Sequence, residues 1–132
     1  MTQVALIVLS IICSVISVQD FRFHQISNVS NIVLLLSLLL VNRGAIFWVD
    51  GWLISFISIA MGLFAGLGGG DVKLLMVIGF VGLANSQLIE FCLWLSALSI
   101  PISLVYVALK KTVLTQIPLG PAICGALIVT II

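Results

Sequence analysis

Charge is what this sequence has least of. Of 132 residues, five are Lys or Arg and four are Asp or Glu, while 63% are hydrophobic and mean hydropathy is +1.44. A soluble domain cannot build an ordinary polar surface from that composition, so a soluble globular protein is excluded. The formal net charge is +1, with no Lys/Arg-rich stripe and no platform of aromatics between basic residues, which removes nucleic acid as a partner. Cysteine is scarce and unpaired: Cys13, Cys92 and Cys124 each stand alone inside an apolar run, with no CxxC pair. Neither a zinc site nor a disulfide framework is indicated, and all three are expected to pack in the core. The single histidine, His24, has no metal-ligand companions, and the serines have no matching His/Asp set. No metal and no cofactor are expected. The apolar runs are continuous and lack the period-two alternation of barrel strands, which favours helices over a β-barrel. The start of the chain lacks a basic n-region and an Ala-x-Ala cleavage site, so its first apolar run is expected to be a retained span.

What the sequence does have is long apolar runs broken by short polar ones. A hydrocarbon layer of ~30 Å takes ~20 helical residues, so this length allows about six spans with short loops. The expected fold class is all-α, a polytopic membrane protein, with residues 1–132 as a single transmembrane domain. The spans are expected at Val4–Val18, from Ile26 or Asn28 to Val41, Ala45–Leu67, Val72–Leu83, Leu88–Leu109 and from Pro118 to Ile132. Asn28, Ser30 and Asn31 fall where side chains cap a helix start, Asn42-Arg43-Gly44 reads as a turn, and Trp48 and Trp52 as an interfacial belt. Ala84 to Gln87 should close the fourth span, Pro101 is a kink point in the fifth, Lys110-Lys111 is its stop, and Thr112–Ile117 is a linker. If six spans alternate, one face carries Arg22, Lys73, Lys110 and Lys111 and the other only Arg43. The positive-inside rule makes the first face cytoplasmic.

Gly68-Gly69-Gly70-Asp71-Val72-Lys73 is the sharpest interruption. Three glycines let the backbone bend, take positive φ and approach another segment closely. The plainer reading makes Asp71 an N-cap and Lys73 an interfacial anchor, with Gly62, Gly66 and Gly70 as a small-residue packing stripe. A phosphate loop is excluded, because GxxxxGK[ST] is absent. Of the four acids, Asp50 and Glu90 lie beside tryptophans on the outer face, where solvated interfacial positions explain them. Asp20 and Asp71 instead end spans one and three on the same face, and the two-helix hairpin between them returns the chain to the side it left. Two carboxylates held about one water apart share a proton, so that one serves as general base on water and the other as general acid toward a carbonyl.

These residues are similar to a known family. Gly68-x-Gly70-Asp71-x-Lys73 resembles the GxGDxK signature of the type IV prepilin peptidases, membrane aspartic proteases of the GxGD class. Asp20-Phe21-Arg22-Phe23-His24-Gln25-Ile26-Ser27-Asn28 resembles the family's first motif, an Asp followed by Ile-Pro-Asn, and Pro118-Leu119-Gly120-Pro121 resembles its Pro-Phe-Gly-Pro. The resemblance implies that Asp20 and Asp71 are the catalytic dyad, that Gly68 and Gly70 shape the turn presenting Asp71, and that Asn28 orients the first loop by capping. It leaves Lys73 three roles: tuning the dyad, pairing with a carboxylate or anchoring at headgroups. The implied substrate is the N-terminal leader of a prepilin or pseudopilin, cut at the cytoplasmic face of the bacterial inner membrane. Ser27 replaces a proline, which loosens the loop, and Leu119 replaces an aromatic. The cytoplasmic CxxC segment of the long bifunctional members has no counterpart here. The length resembles the short branch serving Flp-type, tight-adherence pili, for which peptidase without methyltransferase activity is expected. Two rivals remain: a non-catalytic six-helix protein, either a small transporter or a pilus or secretion assembly subunit with an Asp/Lys relay, and a presenilin-like protease acting on another transmembrane substrate.

Overall fold

The computed structural model describes residues 3–65, 67–83, 87–110 and 118–132. They form α1 (Gln3–Phe23), α2 (Asn28–Val41), α3 (Trp48–Ala65), α4 (Gly69–Val77) running on into a π-helical turn (Ile78–Gly82), α5 (Leu88–Lys110) and α6 (Gly120–Ile131). No strand occurs among the described residues. The chain is an all-α membrane protein. Helices α1 and α5 are long and apolar enough to cross a bilayer unaided, and α2, α3 and α6 are shorter apolar helices. The expected breaks at Ala84–Ser86, Lys111 and Thr112–Ile117, and Gly66 of the small-residue stripe, lie outside the described residues.

Bulky apolar side chains cover the outside: Phe64 is 91% exposed, Leu63 77% and Phe56 76%. Lipid is as apolar as leucine, so burial alone does not sort inside from outside there, and close packing holds the helices together. Gly62 on α3 faces Val72 on α4, where an added Cβ would come within 3.3 Å of Cγ2, and Gly79 lies against Ile54 in the same way at 3.0 Å. Hydroxyls along the spans satisfy themselves within the helix: Ser10, Ser17 and Ser103 each donate to the carbonyl four residues back. Helix α1 packs on α2 and α6, α5 on α6, and α3 on α4 and the π-turn, while α2 also meets α4 and the π-turn.

Several expected boundaries move. The first helix continues past Val18 to Phe23, so Asp20 is helical and not in a loop, because the stripe Leu9, Cys13, Ile16 and Asp20 stays buried on one face. The cap of α2 is Ser27, whose hydroxyl accepts from the Ser30 amide at 3.1 Å; Asn28, expected to cap, is the first helical residue. Ser30 Oγ donates in turn to Gln19 Oε1 at 2.7 Å, tying the end of α1 to the start of α2. The loosening expected from Ser27 in place of proline is thus offset by its cap. Helix α4 begins at Gly69, with Gly68 as its cap at φ −62°, and the positive φ expected of the glycine run is found at Gly44 instead, in the Asn42-Arg43-Gly44 turn. Cys13 and Cys124 are buried as expected, but Cys92 faces outward. Asp50 is also not solvated: it is 6% exposed, and its Oδ2 has no hydrogen-bond partner.

Candidate active site

Both carboxylates reach the same place by the same device. Asp20 is the last member of the buried stripe of α1, and Asp71 opens the buried stripe of α4 that continues through Leu74, Leu75 and Ile78. Each is almost fully enclosed, Asp20 at 4% and Asp71 at 6% exposure. They line one cleft of about 300 Å³ together with His24, Gln25, Ile26, Gly68, Gly69, Gly70 and Lys73. The structure therefore brings together Asp20, Asp71, Gly68, Gly70 and Lys73, five of the six residues singled out in the sequence. The sixth, Asn28, touches the group from outside: Lys73 Nζ donates to Asn28 Oδ1 at 3.0 Å across an exposed contact.

The glycines have separate tasks. A Cβ on Gly70 would stand 3.1 Å from the Ile26 amide nitrogen and 3.2 Å from its Cβ, so a bare Cα lets the α4 start lie against the loop joining α1 to α2. A Cβ on Gly68 would meet Asp71 Oδ2 at 3.3 Å, whereas one on Gly69 would meet nothing. The two motifs that bear the aspartates are thus in direct contact through Gly70 and Ile26.

The two acids differ in their partners. Asp20 Oδ2 accepts the backbone N–H of Gly120 at 2.8 Å, at the first turn of α6. Asp71 Oδ1 is buried with no hydrogen-bond partner. An orphaned carboxyl oxygen in an enclosed site is costly to charge, which sets Asp71 apart from its amide-bonded neighbour. The end of α1 is further braced by His24 Nε2, 2.9 Å from Tyr106 Oη on α5, with Phe21 edge-on to the same ring.

Sequence reasoning named Gly120 within the Pro118-Leu119-Gly120-Pro121 motif but gave it no role, and it missed Tyr106. The first carried a signal, glycine between two prolines at a helix start; the second carried none, being one aromatic in an apolar run. A larger hollow of about 660 Å³ lies between α1 and α2 at the other end, lined by apolar residues with Ser37 and Arg43, and it holds no acid. Among the described residues, no three His, Cys, Asp or Glu side chains group as metal ligands.

A profile of the type IV leader peptidase family matches residues 7–104, a stretch that takes in Asp20, the glycine run, Asp71 and Lys73. No curated protein and no solved structure matches the chain. With most of its length matched by that profile, the chain belongs to the type IV leader peptidase family, and it is a membrane peptidase.

Proposed function

We propose that the protein is an aspartic endopeptidase that removes the N-terminal leader of a prepilin or pseudopilin, with Asp20 and Asp71 as its catalytic dyad. The observation that carries this reading is the meeting of two buried carboxylates, far apart in sequence, in one cleft. One carboxylate takes a proton from water as the water oxygen bonds to the scissile carbonyl carbon, and the other gives its proton to the carbonyl oxygen. Collapse of that tetrahedral adduct breaks the C–N bond, and the leaving amine takes up a proton. Gly68 and Gly70 support the reading by letting backbone approach the acids, and Lys73 with Asn28 ties α4 to α2 beside the cleft.

The same proposal takes the six helices as six spans of one transmembrane peptidase domain, residues 1–132, in a bacterial inner membrane, with the cleft on the cytoplasmic face. The basic residues Arg22 and Lys73, at the cleft end of α1 and α4, support that orientation. The substrate is of the Flp, tight-adherence type, and methylation of the new N-terminus is not among the activities. The rival Asp/Lys relay has less support, because the partner of Lys73 is the neutral Asn28. Co-expression with a Flp-type prepilin tagged at its C-terminus tests the reading. A leader-sized loss of mass is expected with the wild type and not with Asp20→Ala or Asp71→Ala; full cleavage by either variant refutes the dyad.

A further inference from the structure

Among the groups around the cleft, one backbone amide treats the two aspartates differently. Gly120 N–H points at Asp20 Oδ2 from 2.8 Å, at the start of a twelve-residue helix. Pro121 has no N–H, so Gly120 is the donor available at that point of the turn. The contact also needs a bare Cα: a side chain on Gly120 would put its Cβ 2.7 Å from Oδ2, 2.9 Å from the Cβ of Asp20 and 3.0 Å from its Cγ. Asp20 is short and anchored in a helix, so it could only make room by leaving its place. Pro118, two residues earlier, is fully buried. Asp71, by contrast, has a buried oxygen with no donor aimed at it.

We infer that Gly120 is a positioning residue that orders the protons of the pair: its amide keeps Asp20 as the carboxylate that activates water, and leaves Asp71 as the acid that protonates the substrate carbonyl. The inference rests on the dyad proposed above and adds the direction of proton flow. An ionised carboxylate gains from an N–H at a helix start, while a buried oxygen without a donor disfavours charge. The titratable groups facing Asp20 are His24 in the loop just past the end of its helix, Asp71 and Lys73 on α4, and Cys124 on α6; Tyr106 on α5 reaches it through His24.

The protons balance over one turnover. Water gives a proton to Asp20 as its oxygen bonds to the carbonyl carbon, and Asp71 gives its proton to the carbonyl oxygen. In the second half, the Asp20 proton passes to the leaving nitrogen as the C–N bond breaks, and one hydroxyl of the adduct returns a proton to Asp71. The pair ends as it began.

The test uses full-length protein in detergent micelles, without substrate, labelled with ¹³C at the aspartate carboxyls. The chain has three aspartates, and Asp50→Asn and Asp71→Asn assign the signals. Asp20 is expected to ionise at lower pH than Asp71 in the wild type. In Gly120→Ala the Asp20 midpoint should rise by about one pH unit, the loss of a charge-assisted hydrogen bond. Leader cleavage by that variant should show kcat down about tenfold, KM within about twofold, and its acidic limb moved up by the same unit. Ionisation of Asp71 first, or both signals titrating together, overturns the inference from the wild type alone, even if Gly120→Ala fails to fold. A folded Gly120→Ala with an unmoved Asp20 midpoint overturns it too. Cleavage by Asp20→Asn would instead refute the dyad, so the two failures are distinguishable.

Discussion

The two ends of the helix bundle each bury an aspartate, and they use it differently. At one end Asp20 and Asp71 share a cleft with glycines and a polar loop. At the other, Asp50 sits in the first turn of α3 beside an aromatic cluster, where Trp48 and Trp52 stand edge-on to Phe80, 6.0 and 5.8 Å between ring centroids. The aromatic end is closed by bonds to backbone carbonyls: the Phe47 amide donates to Phe80 O at 2.8 Å, and the Asn42 side chain donates to Val81 O. Those two carbonyls belong to the π-helical turn that ends the helix, where no following helical N–H remains to take them. One end is thus built to lock α2, α3 and α4 together, and the other to leave two acids facing a space. Burial of a carboxylate is common to both and does not by itself make chemistry. What the cleft end adds is a second carboxylate facing the same space.

The largest expected break in that contrast comes from removing charge at each end. Asp20→Asn and Asp71→Asn should each lower leader cleavage by about a thousandfold or more, the usual scale for loss of a positioned acid or base. Asp50→Asn, at the locked end, should stay within about twofold of the wild type, since it keeps the side chain's shape and does not line the cleft. Mass analysis of a tagged prepilin after co-expression reads all three variants. Equal loss in Asp50→Asn would mean that the ends are coupled through α3 and α4 and that the contrast is wrong.

Much of the cleft end was legible before the structure, for reasons that are physical. Asp20 and Asp71 stood out because charge is so rare in an apolar chain that each instance needs a cause. The alternation of spans was enough to put them on one face. Helix ends were less legible: Gln19 to Gln25 reads as polar loop, yet α1 continues to Phe23 because Asp20 falls on the stripe of Leu9, Cys13 and Ile16. Ser27 and Asn28 are equally good caps by type, and only the backbone shows that Ser27 lies just outside the helix. The partner of Asp20 was legible only as a glycine inside the Pro118-Leu119-Gly120-Pro121 motif, with no sign of what it touches. A backbone amide leaves no residue type to recognise, and what the sequence carries is the absence of a side chain at Gly120.

The smallest effect separates two adjacent glycines inside the cleft end itself. Gly69 and Gly70 are both in the first turn of α4, and alanine has the higher helix propensity by about 1 kcal/mol in a helix interior. At Gly69 an added Cβ meets nothing within 4 Å, so Gly69→Ala should leave stability unchanged or raise it by up to about that amount. At Gly70 the same Cβ lies 3.1 Å from the Ile26 amide nitrogen. That neighbour is backbone, in a short loop held on one side by α1 and on the other by the Ser27 cap, so it cannot turn away as a flexible side chain would. Gly70→Ala should therefore cost about 1 kcal/mol or more, despite the gain in propensity, and should lower cleavage several-fold by shifting Asp71 relative to Asp20. Paired melting curves and cleavage rates for the two variants measure the difference. A Gly70→Ala as stable and active as Gly69→Ala would mean that the loop gives way freely, and that contact between the two aspartate motifs is not what holds the cleft in shape.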